Sequence, residues 1–380
     1  MKVVCLFRSS LHLGGIERQL LDHAVRLAAA GWTPHLLCLY RGEGDLPGGG
    51  DHPLVLAARQ VGLSAATIAD PGPFRAGVAG RVYAWIERLQ PVLLHTSDYR
   101  SDLFGLLLRG CRFGRSSGSR RVWVAESHGH TAETPRMAVW NVIDRWALRR
   151  ADAVAAVSAA WETSLAAAGV EPARLHTVGN SIAILAPDPV PAPLRLPQGR
   201  HLLYAGRLSP EKGLDMLLEV WSAVTAAHPD LHLWVLGATA RSASYRRRLA
   251  PLLAQPGVHA VGFHDDIRPW LQAMDAVVVP SRQEVWGMTA FEALAAGIPV
   301  VAARTGGLPH VCEDALHALL VTPLTPGALV DGIDRVLDSP FPRGADLGEA
   351  YRRQPRFDPA RRHQRLLDLY RSLARSQFDL

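Results

Sequence analysis

Five prolines fall within the twelve residues 186–197, APDPVPAPLRLP, and on either side of them short apolar strand-like runs alternate with helical ones. Proline fixes its own backbone and removes a donor, so this stretch reads as a semi-rigid linker. Parallel strands need a crossover connection and a helix supplies it, so the alternation on both sides predicts two α/β layers with parallel sheets. A chain of 380 residues is long for one core, which agrees with two domains. With 48% hydrophobic and 20% charged residues, the composition fits a soluble globular protein with large buried sheets and not a disordered chain.

The net charge of +6 is compatible with nucleic acid, anionic lipid or phosphorylated small molecules and does not choose between them. Lys2 and Lys212 are the only lysines among many arginines, which singles out Lys212. Cys5, Cys38, Cys111 and Cys312 are scattered without metal-type spacing and read as reduced core residues. The start, MKVVCLF, runs straight into a strand, and no run reaches the ~18 apolar residues of a membrane span, so a cytosolic protein is expected.

In the first half, residues 2–7 form a strand, 8–13 a polar loop, and Gly14-Gly15 precede a helix on which Ile16, Leu20, Ala24 and Leu27 share a face. Adjacent glycines let the backbone approach a ligand, and N–H groups at a helix start attract phosphate; a tight turn is the plainer reading of the same pair. The dinucleotide spacing G-x-G-x-x-G is absent. A second strand spans 33–40, and strand and helix candidates alternate through 55–58, 79–89 and 92–95. Residues 109–121, RGCRFGRSSGSRR, read as a solvated basic loop or as a contact with anionic lipid or an acidic acceptor. Residues 136–150 hold Trp140 and Trp146 beside Arg145, Arg149 and Arg150, either an interfacial helix or one packed on the sheet with a basic outer face. A strand at 122–125 is followed by Glu126, Ser127, His128, Gly129 and His130. Two histidines without a third ligand make a poor metal site, so His128 is a candidate pocket residue, with a structural histidine as the alternative. Short strands at 154–158 and 175–179 complete the half.

Beyond the prolines come strand 201–205, helix 213–227, strand 231–236, helix 245–254 and strand 258–261. Arg207 follows a buried strand, and Lys212 starts the next helix, capped by Ser209 or a neighbour. Charge-assisted hydrogen bonds contribute roughly 1.5–3 kcal/mol each, so one Arg and one Lys can neutralise a diphosphate without a metal. There is no Asp-x-Asp; Glu43-x-Asp45, in a glycine-rich loop, is a poor substitute for holding Mg²⁺. Ordinary surface charge at a helix entry is the bland reading of both cations.

The stretch 280–307, PSRQEVWGMTAFEALAAGIPVVAARTGG, places Glu284 in the loop past strand 277–281 and Glu292 on helix 288–296, with Gly297 closing the helix and a strand at 299–303. Ligands of open parallel sheets bind beyond the carboxyl ends of strands, where Glu284 falls. Ionised carboxylates accept hydrogen bonds from hydroxyls, ribose for one and a sugar for the other, although either alone could simply complement the helix dipole. Backbone N–H groups of Trp286, Gly287, Met288 and Thr289 would add to phosphate binding.

These motifs together, GGIE from Gly14, GRLSPEKG from Gly206, GFHDDI from Gly262, Pro280-Ser281, Glu284, Glu292, and AAGIPVVA followed by Gly306-Gly307, make the chain resemble the retaining glycosyltransferases of family 4. The resemblance implies the GT-B fold, α/β with two Rossmann-like domains whose parallel sheets face across a central cleft. It would divide the chain into an acceptor-binding domain 1–182, a linker 183–199 and a donor-binding domain 200–359, with the helix 360–380 packed back on the first. Arg207 and Lys212 would hold the donor diphosphate, Glu292 the ribose and Glu284 the sugar hydroxyls, while His128 would approach that sugar from the acceptor side. Gly14 and Gly15 would border the donor.

No cofactor or metal is expected. The implied partners are a nucleotide-sugar donor and a glycan or lipid-linked acceptor, with a peripheral contact to anionic membrane and no nucleic acid. The setting would be cytoplasmic, at the inner face of the membrane, in polysaccharide or glycolipid assembly. Asn180-Ser181-Ile182-Ala183 and Leu236-Gly237-Ala238 depart from the usual pattern, and Trp286 stands where Phe or Tyr is common, a change that would reshape the sugar pocket. A sugar-nucleotide epimerase on the same fold and a non-catalytic nucleotide-sugar-binding protein are the alternatives.

Overall fold

The computed structural model describes residues 2–40, 50–70, 76–110, 121–130, 135–181, 196–238, 242–264, 266–338 and 340–378. Glu43, Asp45, Cys111, most of the basic loop and most of the proline stretch lie outside them. The chain divides into two compact units, one from residues 1–130, 139–183 and 356–380, the other from 131–138 and 184–355.

The first unit is built on seven strands: β1 (Lys2–Ser10), β2 (Trp32–Tyr40), β3 (Ser64–Ala69), β4 (Leu93–Thr96), β5 (Val122–Ser127), β6 (Ala153–Ala156) and β7 (Leu175–Thr177). They order as β3-β2-β1-β4-β5-β6-β7, every pairing parallel, with Lys2 opposite Trp32 and Val4 opposite Leu93. Near-continuous apolar runs make these strands because both faces are covered. Cys5 and Phe7 enter one cluster with Leu37, Phe104 and Trp123; Val4 and Leu6 enter the other with Leu36, Leu366 and Tyr370. The last two residues lie on the helix Pro359–Phe378, which closes the second face.

The second unit repeats the plan with β8 (Arg200–Ala205), β9 (Leu231–Leu236), β10 (Val258–Gly262), β11 (Ala276–Val279), β12 (Val300–Ala303) and β13 (Ala318–Val321), ordered β10-β9-β8-β11-β12-β13 and all parallel. In both sheets the order reverses beside the first strand, between β1 and β4 and between β8 and β11. Such switch points open a crevice at the carboxyl ends of the strands.

Several elements differ from the periodicity. β1 runs on to Ser10, so Arg8 belongs to the strand and not to the loop. Residues 55–58 lie in a helix, Pro53–Gln60, whose start is capped by the His52 ring accepting the Leu54 N–H at 3.1 Å. The expected helix 213–227 is two, Leu214–Glu219 and Trp221–Ala227. The break at Val220 aims Leu214, Leu217 and Leu218 from one and Trp221 and Val224 from the other into a single core. Cys5, Cys38 and Cys312 are buried and form no disulfide among the described residues. Among the described residues, no helix is long and apolar enough to cross a membrane.

Candidate active site

At the switch point of the second sheet, β8 delivers Arg207 and β11 delivers Ser281 to Glu284. After β8 the chain turns through a 3-10 segment, Pro210–Lys212, and Gly213, at φ +70°, passes so close to Pro280 that a Cβ would collide with its carbonyl oxygen. Only glycine meets both conditions, and the contact ties the two loops together. The Ser209 side chain caps nothing here.

Lys212 Nζ lies 2.7 Å from Glu284 Oε2, and the Ser281 hydroxyl donates to the same oxygen at 3.2 Å. Arg207 is 3.3 Å from Glu211 Oε1. Each cation proposed for phosphate is thus beside a carboxylate, and the two glutamate pairs stand on neighbouring loops. Glu211 also accepts, through its backbone carbonyl, the N–H groups of Arg282 at 2.8 Å and Gln283 at 3.1 Å. Below them Asp215 is buried, bonded by Arg282 at 2.7 and 3.0 Å, by Tyr245 Oη at 3.0 Å and paired with Arg248 at 3.1 Å. Burial works to raise the Asp215 carboxyl, but hydrogen bonds and charge from Arg282 outweigh it and hold the group below its usual range. This buried carboxylate anchors the Glu284 loop to the β8 side.

Glu292 is half-buried on the helix Met288–Ala295, directly after that loop. Gly287, at φ +105°, starts the helix, and the Thr289 hydroxyl returns to the Ala205 carbonyl at 2.8 Å, so Thr289 is used in packing against the end of β8. Trp286 is 3% exposed, its ring against Phe291 and His310 at centroid distances of 5.9 and 5.3 Å. Its indole belongs to the core. Gly306 and Gly307 pass against the backbone of Glu284 to Trp286, and Gly307 N–H donates to the Glu284 carbonyl at 3.1 Å.

In the first unit, the GGIE turn holds Glu17, three residues past Gly14. Glu17 Oε2 accepts the Gly14 N–H at 2.9 Å, and its Oε1 accepts from Arg8 Nε at 2.5 Å. A carboxylate of the chain itself therefore occupies the Gly14 N–H that phosphate was expected to seek. Burial pushes the Glu17 carboxyl up, but Arg8 outweighs it and brings it down to about 2. Arg8 also donates to the Ser97 carbonyl at 2.6 Å, and the Ser9 N–H to Asp98 at 2.6 Å, which joins β1 to the loop after β4 at the switch point. A Glu three residues past a helix-capping glycine is the signal that could have found this pair.

β5 ends at Ser127, and Gly129 turns at φ +105°, so His128 and His130 separate. His130 Nε2 lies 2.6 Å from Asp144 and its ring packs on Trp161. His128 Nε2 lies 3.6 Å from Glu126 Oε1. Burial lowers the His128 imidazole to about 4, against the raising pull of Glu126, so the ring is neutral at neutral pH. The structure brings Arg207, Lys212, Glu284, Thr289 and Glu292 to one end of the second sheet, and Gly14, Gly15 and His128 to the first.

Two doubly wound parallel sheets of this kind are the fold of the GT-B glycosyltransferases. Sucrose-phosphate synthase from Thermosynechococcus elongatus is similar over 99% of this chain and 100% of its own, with TM-score 0.74 and 24% identity. HepE of Anabaena, solved with UDP and glucose, matches over 98% and 100%, with TM-score 0.75 and 20% identity. The family model "Glycosyltransferase Family 4" matches residues 13–184 and "Glycosyl transferases group 1" residues 199–339. The chain belongs to the family 4, group 1 glycosyltransferases. Among curated relatives, D-inositol 3-phosphate glycosyltransferase of Arthrobacter sp. (strain FB24) is 34% identical over 42% of this chain and 39% of its own length. Its counterpart 1 from Catenulispora acidiphila is 32% identical over 54% and 53%. The matched stretches thus span about half the length of these relatives or less.

Proposed function

We propose that this protein transfers a sugar from a nucleoside-diphosphate donor to a hydroxyl acceptor, with retention at the anomeric carbon. The observation that carries the proposal is the Lys212–Glu284 pair beside Arg207 at the switch point of the second sheet. A diphosphate brings about two negative charges, and one Arg and one Lys match them. The three donors of the Lys212 ammonium can serve a phosphate oxygen while Glu284 accepts from sugar hydroxyls. Glu292 takes the ribose hydroxyls. Stabilisation of the departing diphosphate by the two cations is the main catalytic contribution, and no metal is required.

In the step itself the acceptor oxygen attacks the anomeric carbon from the face that the phosphate leaves. The bond from carbon to the phosphate oxygen breaks, and the hydroxyl proton passes to that departing oxygen. Glu284 positions the sugar and makes no covalent bond. His128, neutral and at the end of β5, hydrogen-bonds a sugar hydroxyl. HepE solved with UDP and with UDP-glucose makes a UDP-sugar the first donor to try, and the inositol phosphate relatives make a phosphorylated polyol an acceptor to set beside glycans and lipid-linked glycans.

Thermal unfolding in the presence of UDP-, GDP-, ADP- and dTDP-sugars tests the donor, because a ligand of the folded chain stabilises it by an amount that grows with the logarithm of its affinity. The expected result is a raised melting temperature with one nucleotide and transfer insensitive to EDTA. Conversion of the donor to an isomeric sugar nucleotide without acceptor would instead identify an epimerase, and binding without turnover a carrier.

A further inference from the structure

Deep in the first unit, beyond His128, six polar side chains from four elements form one hydrogen-bonded chain. Glu126 on β5 accepts from Arg362 through Oε1 and lies 3.0 Å from His95 Nε2, on β4, through Oε2. Tyr370 Oη lies 2.5 Å from His95 Nδ1 and 3.2 Å from His23 Nε2 on the helix Gly15–Ala29. His23 Nδ1 is 3.0 Å from His363 Nδ1. Arg362, His363 and Tyr370 all belong to the helix Pro359–Phe378, and all six residues are buried.

Counting hydrogens gives this chain a direction. A carboxylate only accepts, so His95 Nε2 must carry the hydrogen between them. With one hydrogen on its ring, at Nε2, His95 offers Nδ1 as an acceptor and takes the single hydroxyl hydrogen of Tyr370. The Tyr370 oxygen in turn accepts from His23 Nε2–H, and His23 Nδ1 accepts from His363 Nδ1–H. Every donor points toward Glu126. The reverse direction needs either a bare His95 nitrogen against the carboxylate or a charged ring in the interior. Burial, which lowers the His23 imidazole and raises the Tyr370 hydroxyl, opposes a charge on either. Burial would also raise Glu126, but Arg362, His128 and His95 outweigh it and hold the carboxyl well below its usual range.

Glu126 therefore stands as an anion 3.6 Å from His128 Nε2. That is longer than a direct hydrogen bond, yet neither ring nitrogen of His128 has a hydrogen-bond partner among the described residues. Of the charged groups acting on His128, Glu126 pulls most strongly, and it stands on the Nε2 side. We propose that Arg362 and Tyr370, acting through Glu126 and His95, are positioning residues that hold His128 as its neutral Nε2–H tautomer and so leave Nδ1 as an acceptor for a substrate hydroxyl. The role of that hydroxyl rests on the glycosyl-transfer reading; the tautomer does not.

The full chain is compared with Arg362→Met, Arg362→Lys and Tyr370→Phe, using heteronuclear NMR of the imidazole nitrogens, with His128→Asn to assign the signal, and transfer kinetics. The native chain and Arg362→Lys are expected to show Nε2–H at His128. Arg362→Met and Tyr370→Phe are expected to show a mixture of tautomers and to lose roughly tenfold or more in kcat, as loss of a supporting partner does, with donor KM nearly unchanged. Nδ1–H in the native chain overturns the proposal even if no variant folds. So does a folded Arg362→Met with unchanged tautomer and kcat. If the native chain shows Nε2–H but transfers no sugar, the positioning stands and the functional reading falls.

Discussion

Lys212 and Glu284 lie 72 positions apart in sequence and 2.7 Å apart in space, with the Lys side chain 20% and the Glu 11% exposed. Truncating either leaves the other's charge partly buried, so both variants are expected to weaken donor binding. On the proposed function, Lys212→Ala would remove a phosphate contact worth roughly 1.5–3 kcal/mol and should raise the donor dissociation constant by about ten- to a hundredfold. Glu292→Ala should weaken donor binding too, while Glu284→Ala should lower turnover more than stability. Calorimetric titration and initial rates check all three, and unchanged transfer in every variant would sink the assignment.

Two further residues set a pH dependence. Glu17, brought down to about 2, contributes stability above the pKa of an unfolded Glu and loses it as pH falls through the range from about 4.5 to about 2. His128 is held neutral, so an unfolded chain binds its proton first, and stability falls as pH drops from about 6.5 to about 4. Denaturant midpoints across pH should therefore lose one component in Glu17→Gln and the other in His128→Asn.

At the scale of elements, the site depends on how two loops are fastened. Gly213, with φ +70° and no room for a Cβ against the Pro280 carbonyl, fixes the turn that carries Lys212 beside the loop that carries Glu284. Gly213→Ala is expected to cost about 1–3 kcal/mol, as strained backbone positions do, and to weaken donor binding; the melting temperature and a donor titration measure the two effects. The strand–loop–helix–strand pattern of 280–307 was legible because its apolar runs and closing glycine are local signals. The split of 213–227 into two helices was not, since Val220 breaks the run only so that Trp221 and Leu214 can reach one core. Helical periodicity reads which residues share a face and is blind to where a partner sheet stands.

For the whole molecule, the helix Pro359–Phe378 is a member of the first unit although residues 184–355 separate it from the rest. Leu366 is fully buried there with Leu6, Leu36 and Val124. Leu366→Ala should destabilise by roughly 2–5 kcal/mol through the cavity it leaves. Faster amide exchange is expected in β1, β2 and β5, with β8 to β12 unchanged, if the loss stays in the unit where the side chain packs.

Two parallel α/β layers on either side of a proline stretch, the family, and the residues at the carboxyl ends of β8 and β11 were legible in the amino-acid order. Those follow from periodicity, composition and short motifs, all of which act over a few residues. It took the folded chain to show that Lys212 meets Glu284, that Arg8 and Glu17 close the Gly14 turn, that Trp286 is core, and that Arg362 reaches Glu126 across 236 positions. A buried charge takes its partner from strand order and helix docking, and neither leaves a period in the chain.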